Sequence, residues 1–376
     1  MILGIDVSTY FETLKLGGKY FYQGKNVDPL DEFIKNGVSS MRIRTWVNPY
    51  SEDGLPYNGG TCDTINFIEL SKLAQSKGYS IYLDIHYSDF WCDPAKQMKP
   101  KSWRNLDFNE LKNMVYKYTC ELLNNAKENN IDIKIIQIGN EITNGMLWPD
   151  GKLYGETHPR KGYNNLCMLL KEGIKACDEI YPQALKMLHL ERSYDKDLYF
   201  EFFSEMEKHE VSFDIIGASF YPYWHKSKES MFDNLKSCKE RFKKQVMIVE
   251  TSYAFTLEDY YQDNNGVINL GVNKNNIDTF DIKTKYPFTK TGQKDYIHDL
   301  IKDAINNDID GLYYWEPLWV PGNLTCWSSK ESQIYINECN KSIRNEWSNQ
   351  CLVDYSGNLN PGFMEFNNKG EKINEN

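Results

Sequence analysis

The sequence predicts an α/β fold, a single (β/α)8 TIM barrel with long βα loops on its active face. Short apolar runs alternate with helical patterns, no linker or internal repeat divides the chain, and polar or aromatic residues follow the ends of many apolar runs. Such barrels extend past roughly 400 residues when they carry insertions, so the chain fits one domain. We predict the barrel over residues 1–366 and a polar tail over residues 367–376.

Eight apolar runs have the length and composition of strands. Most are nearly continuous in Val, Ile, Leu and Met, which is typical of parallel strands that are buried on both faces. The predicted strands are residues 2–7, 41–46, 80–86, 133–139, 185–190, 213–219, 245–250 and 311–315.

Helical patterns fill the intervals between these runs, with usual start and stop signals such as Asp28 before Pro29, and Gly37, Gly78 and Pro182 after helices. The alternation also fits an open doubly wound sheet, but neither a GxGxxG motif after the first strand nor a P-loop is present. The barrel is therefore preferred. The predicted helices are residues 28–36, 64–77, 109–129, 163–180, 196–208, 229–243 and 292–306, with a last one near 335–347.

The composition narrows the classes of partner. The net charge is −10, whereas a nucleic-acid-binding protein needs a basic face. No apolar stretch approaches the roughly 18 residues that a membrane-spanning helix requires. Aromatic residues make up 14% of the chain, and their flat rings can stack on the apolar faces of sugars. We expect an uncharged partner, no nucleic acid, no membrane contact and a monomeric protein.

The cysteines indicate free thiols rather than a disulfide or zinc framework. There are nine, an odd number, and no CxxC pair occurs. The first predicted strand begins almost at Met1, so no export signal precedes it in this sequence. These observations favour a cytoplasmic protein, with secretion as the alternative if the natural chain begins earlier. We expect that no cofactor is required.

Two strands end in a glutamate. IIQIGNEIT (135–143) places Glu141 after the fourth strand beside Asn140, which can bond a sugar hydroxyl, and VMIVETSY (246–253) ends the seventh strand at Glu250. Separately, Glu141 could belong to a helix N-terminus and Glu250 could pair with a surface lysine. Together, two carboxylates facing each other across a barrel mouth are what glycoside hydrolysis requires.

Further residues follow other strands at the same rim. Arg44 is positioned to keep Glu250 ionised, Tyr221 to donate a hydrogen bond to it, and Trp224 and Trp315 to stack on sugar rings. The segment HYSDFW (86–91) adds His86 and Trp91. A lone histidine or tryptophan is more often structural, and the same holds for His189. The coincidence of several strand ends makes the group a candidate substrate-binding set.

At this point the sequence resembles the endo-β-1,4-galactanases of glycoside hydrolase family 53. The resemblance implies cleavage of β-1,4-galactan, or of shorter galacto-oligosaccharides, with retention of configuration. It carries the general acid/base role onto Glu141 and the nucleophile role onto Glu250. The matching segments are GIDVS (4–8), RIRTWVNP (42–49), DIHYSDFWCDPAKQ (84–97), QIGNEITNGMLWPDG (137–151), FDIIGASFYPYWH (213–225), VMIVETSYA (246–254) and YYWEPLW (313–319).

Two segments depart from the family pattern. In HLERS (189–193), Glu191 and Arg192 stand where a smaller and less charged turn is usual, so the rim after the fifth strand is open to question. Some bacterial members bind calcium after strand 7, but DYYQDNNGVINLGVN (259–273) matches that loop poorly. A structural calcium ion is kept only as an alternative.

Other functions remain as alternatives. A mannanase or cellulase of the same clan would carry the same two glutamates, and only the loops that contact sugar separate these enzymes. A barrel that binds carbohydrate without cleaving it would need to have lost Glu141 or Glu250, and both are present. A metal-dependent barrel hydrolase would need an HxH on the first strand, which GIDVS does not contain.

Overall fold

Eight parallel strands close into a barrel. The computed structural model describes residues 1–155, 160–261, 270–280, 285–321, 325–338 and 343–367. Each barrel strand pairs with its neighbours in the chain, and the last pairs with the first, which confirms the predicted fold with strand ends shifted by at most two residues. The strands are β1 (Ile2–Asp6), β2 (Ser40–Thr45), β3 (Ser80–Ile85), β4 (Ile133–Ile138), β5 (Leu185–Leu190), β6 (Ile215–Phe220), β7 (Gln245–Thr251) and β8 (Gly311–Trp315).

Helices connect successive strands. The helices are α1 (Tyr10–Lys15), α2 (Pro29–Lys35), α3 (Thr64–Ser76), α4 (Phe108–Glu128), α5 (Tyr163–Ile180), α6 (Lys196–Lys208), α7 (Lys228–Phe242), α8 (Lys290–Asn306) and α9 (Lys330–Tyr335). Asp28, Asp63, Asp107, Asp195, Ser227 and Thr289 each accept a backbone N–H at a helix start, which offsets donors that the first turn leaves unpaired. The seven helices predicted between residues 28 and 306 are confirmed as α2–α8.

The predicted helix near 335–347 is wrong in position. Helix α9 begins earlier because the Ser329 side chain accepts the N–H of Ser332 and caps it there. It ends before Asn337, whose φ of 55° is left-handed and stops an α-helix. Of the range predicted as helix, residues 339–342 lie outside the described part, and the described residues after Tyr335 are not helical.

A 3₁₀ segment, Pro361–Asn367, packs on the outside of the barrel between α2 and α8. The Phe363 and Phe366 rings meet the Phe33 ring of α2 edge-on, at centroid distances of 5.9 and 6.2 Å. Gly362 allows close approach to α8, because a Cβ there would lie 2.9 Å from the Ile297 side chain. This segment completes the outer ring; residues 368–376 of the predicted tail lie outside the described residues.

Large side chains fill the barrel interior below its carboxyl end. A buried cluster that includes Tyr82, Met187, Met247 and Tyr313 lies apart from the core between strands and helices. Gly4 faces this cluster, and a Cβ there would stand 2.2 Å from the Tyr313 ring. Large residues opposite glycines produce the close packing that protein interiors require. A ligand site inside the barrel is therefore confined to its carboxyl-terminal mouth.

None of the eight cysteines in the described residues forms a disulfide. All of these but Cys120 are buried. In the same part of the chain, no helix combines the length and apolar character needed to cross a membrane. The compartment stays a prediction.

Candidate active site

A cavity of about 250 Å³ opens at the carboxyl ends of the strands. It brings together all nine site residues predicted from the sequence: Arg44, His86, Trp91, Asn140, Glu141, Tyr221, Trp224, Glu250 and Trp315. Five lining residues were missed: Cys92, Asp93, Pro94, Trp327 and Trp347.

Glu250 lies near the end of β7 and is 6% exposed. The Tyr221 hydroxyl donates to Glu250 Oε2 at 2.9 Å, as predicted. Arg42 Nη1 lies 2.8 Å from Glu250 Oε1. Glu250 is therefore not the surface partner of a lysine but a buried carboxylate held by one cation and one hydroxyl.

The prediction that Arg44 holds Glu250 is wrong, because Arg42 occupies that role. Arg44 Nη1 instead pairs with Glu316 Oε1 at 2.5 Å, and its Nη2 donates to the Gly59 carbonyl at 2.7 Å. Both arginines face inward, two residues apart on β2. The deeper Arg42 reaches across the barrel, whereas Arg44 turns toward the segment after β8.

Arg42 links several strands through its two terminal nitrogens. Nη1 contacts Asp6 of β1 at 2.9 Å in addition to Glu250. Nη2 contacts Asp84 of β3 and Asn140 after β4, both at 2.9 Å. The side chains of Arg42, Asp6 and Asp84 are fully buried. Because buried charges need partners, the guanidinium and its carboxylates fix one another's positions.

Glu141 stands three residues beyond β4 in a left-handed conformation, with φ 47° and ψ 49°. Glu141 occupies the N-cap position of the following 3₁₀ turn, Ile142–Asn144, but its side chain makes no capping bond there. Glu141 Oε1 lies 2.6 Å from Ser219 Oγ at the end of β6. Among the described residues, no lysine, arginine or histidine forms an ion pair with Glu141.

The two carboxyl groups differ in how strongly they hold a proton. Burial raises the pKa of Glu141 well above its usual value, and the charges of Glu250 and Glu191 add to this effect. Burial also raises the pKa of Glu250, to about 7, but the Arg42 charge and the Tyr221 hydroxyl oppose the rise. When one proton is shared by the pair, it therefore resides on Glu141.

His86 and Asn140 line the cavity but are largely committed to protein partners. His86 Nε2 contacts Asp84 Oδ2 at 3.0 Å, and its Nδ1 faces the N–H groups of Trp46 and Cys92 at 3.3 and 3.2 Å. Burial lowers the pKa of His86, so the ring is neutral. Asn140 Nδ2 donates one of its two N–H groups to the Cys92 carbonyl at 2.9 Å. Sugar binding by these residues stays a prediction.

Aromatic rings form one side of the cavity. Trp91 and Trp327 stack at a centroid distance of 4.5 Å, and Arg44 lies over the Trp91 ring at 4.2 Å. Trp315 meets Trp347 edge-on at 4.6 Å. These four rings are mostly buried, whereas Trp224 is 42% exposed. Trp224 therefore offers the largest free ring face to a sugar.

The unusual rim after β5 forms a compact ion pair. Glu191 is buried and accepts a hydrogen bond from the Thr143 hydroxyl. Its Oε1 pairs with Arg192 Nε at 3.0 Å, and Arg192 has a left-handed φ of 43°. The rim thus adds a negative charge near Glu141, but Glu191 and Arg192 do not line the cavity.

The calcium alternative stays a prediction. Residues 262–269 of that loop lie outside the described residues. In the rest, no group of three or more His, Cys, Asp or Glu side chains is arranged to hold a metal ion.

Different signals account for the residues that sequence reasoning missed. The RIR motif contains both arginines, and strand alternation places both inside, so Arg42 was accessible to the same argument as Arg44. Trp327 and Trp347 belong to the long segment after β8, which has no periodicity to position them. Cys92 and Asp93 lie in the quoted segment 84–97, but nothing in their spacing marks them as lining residues.

The barrel mouth holds two carboxyl groups in contrasting environments beside aromatic rings, with Glu250 buried and Glu141 partly buried. This arrangement is typical of a glycoside hydrolase. The family model of glycosyl hydrolase family 53 matches residues 2–366. The chain therefore belongs to glycosyl hydrolase family 53.

Similar proteins agree with this assignment. An uncharacterised protein of Niallia circulans is 34% identical over 361 residues, covering 95% of this chain and 90% of the relative. An endo-β-1,4-galactanase of Bacillus subtilis is 32% identical, covering 97% and 85% respectively. The solved GH53 catalytic domain of Ignisphaera aggregans superposes with a TM-score of 0.83 at 33% identity, covering 97% of this chain and 95% of that domain.

Tyr221→Phe is expected to move the acid limb of the pH–kcat/KM profile to higher pH. The hydroxyl stabilises ionised Glu250, and activity is lost as pH falls through the pKa of that carboxyl. Because a hydrogen bond to a charged group contributes about 1.5–3 kcal/mol, the limb should move by about one to two units. Tyr223→Phe is the matched control, since its hydroxyl contacts the Ala254 N–H instead. An unchanged acid limb in Tyr221→Phe would contradict the contact.

Arg42→Lys and Arg44→Lys distinguish the two arginines. A lysine keeps the charge but cannot serve the separate acceptors that the guanidinium spans. We expect Arg42→Lys to lose at least about 100-fold in kcat/KM, roughly 2.7 kcal/mol, and to move the acid limb upward. Arg44→Lys should leave that limb in place, because Arg44 does not contact Glu250. Equal shifts in the pH profiles of the two variants would contradict the assignment of Arg42, rather than Arg44, as the partner of Glu250.

Proposed function

We propose that this protein is a retaining endo-β-1,4-galactanase that cleaves galactan or type I arabinogalactan by double displacement. The observation that carries the proposal is the contrast between its two carboxyl groups. Glu250 is paired with Arg42, whereas Glu141 has no ion-pair partner among the described residues and its pKa is raised by burial and by its anionic neighbours. Membership of family 53 and similarity to the endo-β-1,4-galactanase of Bacillus subtilis support the substrate class.

In the first half of the reaction, a Glu250 oxygen attacks the anomeric carbon while the glycosidic C–O bond breaks. Glu141 transfers its proton to the departing oxygen, and a glycosyl ester on Glu250 results. In the second half, a water oxygen attacks the anomeric carbon, Glu141 takes a proton from that water, and Glu250 leaves as a carboxylate. Two displacements on one carbon retain its configuration. This geometry requires the carboxyl groups to stand about 5–5.5 Å apart, which stays a prediction.

The environment of each carboxyl supports its proposed role. The Arg42 guanidinium and the Tyr221 hydroxyl leave Glu250 oriented and available as a nucleophile. The negative charge of Glu250 helps retain the proton on Glu141 until the leaving oxygen needs it. When Glu250 becomes esterified, that charge disappears and the pKa of Glu141 falls, which suits its role as proton donor followed by base.

The aromatic surface supports binding of a neutral sugar chain. Stacking on Trp rings uses the apolar C–H faces of a sugar and needs no charge on the ligand. The exposed Trp224 ring and the buried Trp91 and Trp315 rings all line the same cavity. Endo-cleavage requires this cavity to be open at both ends so that the middle of a polymer can enter, which stays a prediction.

The substrate assignment is tested on a panel of galactan, mannan, β-1,4-glucan and xylan. We expect sugar release from galactan at a rate at least about 100-fold above the others, with an early fall in viscosity. Proton NMR of the first products should show the β-anomer before mutarotation. Faster cleavage of mannan or glucan would favour a clan-related polysaccharidase, and release of single galactose units alone would replace the endo assignment with an exo one.

Two variants test the catalytic roles. Glu250→Ala should abolish turnover, and azide should restore part of it while giving a product of inverted configuration. Glu141→Ala should lose most activity on galactan but much less on an aryl galactoside with a good leaving group, because that departure needs no proton. If neither variant loses more than about tenfold in kcat/KM, roughly 1.4 kcal/mol, the roles are wrongly assigned.

A further inference from the structure

Three buried side chains connect Arg42 to Glu141 by hydrogen bonds. Arg42 Nη2 donates to Asn140 Oδ1 at 2.9 Å, and His189 Nδ1 lies 3.0 Å from the same oxygen. His189 Nε2 lies 2.9 Å from Ser219 Oγ, which in turn lies 2.6 Å from Glu141 Oε1. His189 and Ser219 are fully buried and do not line the cavity.

The hydrogen bond between Arg42 and Asn140 has a fixed direction. A guanidinium can only donate, so the Asn140 atom facing Arg42 is the amide oxygen. The opposite amide nitrogen donates to the Cys92 carbonyl, which fits the same orientation. Asn140 Oδ1 is therefore an acceptor toward His189 Nδ1 as well, and that nitrogen must carry a hydrogen to avoid facing the oxygen with a lone pair.

Two other groups near His189 Nδ1 do not require it to accept. The Glu141 backbone N–H is 3.4 Å away, which is long for a hydrogen bond. Gln137 Nε2 is 3.2 Å away but has nearer acceptors, Asp84 Oδ1 at 2.6 Å and the Gly139 carbonyl at 3.0 Å. Its two hydrogens are used there. Burial lowers the pKa of His189 well below its usual value, so the neutral ring carries one hydrogen, on Nδ1.

The remaining links follow from this tautomer. A neutral His189 with its hydrogen on Nδ1 has a bare Nε2, which accepts the Ser219 hydroxyl hydrogen. Ser219 has only one hydrogen, so its oxygen is left as an acceptor toward Glu141. At 2.6 Å the two oxygens must share a hydrogen, and only a protonated Glu141 can supply it.

We propose that Ser219 and His189 are positioning residues that hold the catalytic proton on Glu141 while the cleft is empty. The inference rests on the proposed role of Glu141 and adds the residues that set its protonation. When substrate binds, a half-turn of the carboxyl group moves the proton from Ser219 to the glycosidic oxygen. The Glu141 O–H bond then breaks as the leaving hydroxyl forms, and the Ser219 hydroxyl keeps its hydrogen but turns to donate a hydrogen bond to the new carboxylate.

That turn of the Ser219 hydroxyl leaves His189 Nε2 without a donor. The protein therefore favours return of a proton to Glu141, which the attacking water supplies in the second displacement. Other titratable groups also face Glu141 from the surrounding elements: Glu250 of β7, Glu191 after β5, Asp93 after β3, Tyr221 after β6 and Tyr199 of α6. A substitution at Ser219 alters none of their charges. Any resulting change in the pKa of Glu141 therefore reports on the hydrogen bonds that connect Arg42 to Glu141.

The tautomer is tested directly by NMR with ¹⁵N-labelled histidine, using two-bond proton–nitrogen couplings. We expect His189 to carry its hydrogen on Nδ1. His86 and His225 are internal references with the opposite expectation, because His86 Nδ1 accepts from Trp46 and Cys92 and His225 Nδ1 accepts from the Tyr221 N–H. The His189 signal is the one that moves in Ser219→Ala. A hydrogen on Nε2 of His189 would overturn the proposal, whether or not the protein cleaves galactan.

The pH profile of Ser219→Ala provides a second test. The two possible directions of the hydrogen bond between Ser219 and Glu141 predict shifts of the basic limb that are opposite in sign. Removing an acceptor of the Glu141 proton should lower the pKa of that carboxyl in the free enzyme. The basic limb of kcat/KM should then move down by about 0.5–1 unit. If Ser219 instead donated to a carboxylate, the limb would move up. An upward shift or no shift overturns the proposal.

Ser252→Ala is the matched control, since it also removes a buried serine hydroxyl, one that donates to Gln350 Oε1 at 2.6 Å. It should leave both limbs in place. Should the wild type fail to cleave galactan, the proposed function falls, and ¹³C NMR titration of Glu141 in wild type and Ser219→Ala replaces the kinetic profile. The expected downward shift of the Glu141 pKa is the same in that measurement.

Discussion

The buried guanidinium of Arg42 is the interaction on which the mouth of this barrel depends. Its two terminal nitrogens contact Asp6, Asp84 and Glu250 from three strands, together with the Asn140 side chain after a fourth. An unpaired charge in such a position costs several kcal/mol, so neither the cation nor its partners can move alone. The strand ends are thereby held in one arrangement, which also fixes the positions of the Glu250 and Asn140 side chains.

The charge balance around Arg42 explains why the two glutamates differ. One cation faces three carboxylates, so negative charge remains in excess, and burial and this excess raise the pKa of Glu250 despite its ion pair. Glu141 lies beyond direct contact with the cation, and burial together with the charges of Glu250 and Glu191 raises its pKa. The site therefore keeps one proton more firmly on Glu141 than on Glu250, which is the asymmetry that a nucleophile and an acid require.

The sequence was sufficient for the barrel strands and for both glutamates, because apolar runs and strand-end carboxylates are local signals. It did not separate Arg42 from Arg44, since alternation places both inside and only their reach across the barrel distinguishes them. Trp327 and Trp347 come from a segment without periodicity, and their place depends on tertiary packing. The position of residues 361–367 on the outside of the barrel likewise depends on contacts with Phe33, more than three hundred residues earlier.

The strand ends also show where the rigid scaffold accommodates strain. Tyr87, Glu141, Arg192 and Glu316 follow β3, β4, β5 and β8 with φ between 43° and 53°, a region that costs roughly 1–2 kcal/mol for such residues. At Glu141 and Glu316 the side chain is anchored by Ser219 and Arg44 respectively. A left-handed residue turns the chain sharply where the strand ends, so its carboxyl stays beside the barrel mouth instead of following the loop into solvent. Backbone strain and the buried ion network therefore act together: the network supplies the contacts that make these conformations tolerable, and the conformations place the carboxyl groups where the network can hold them.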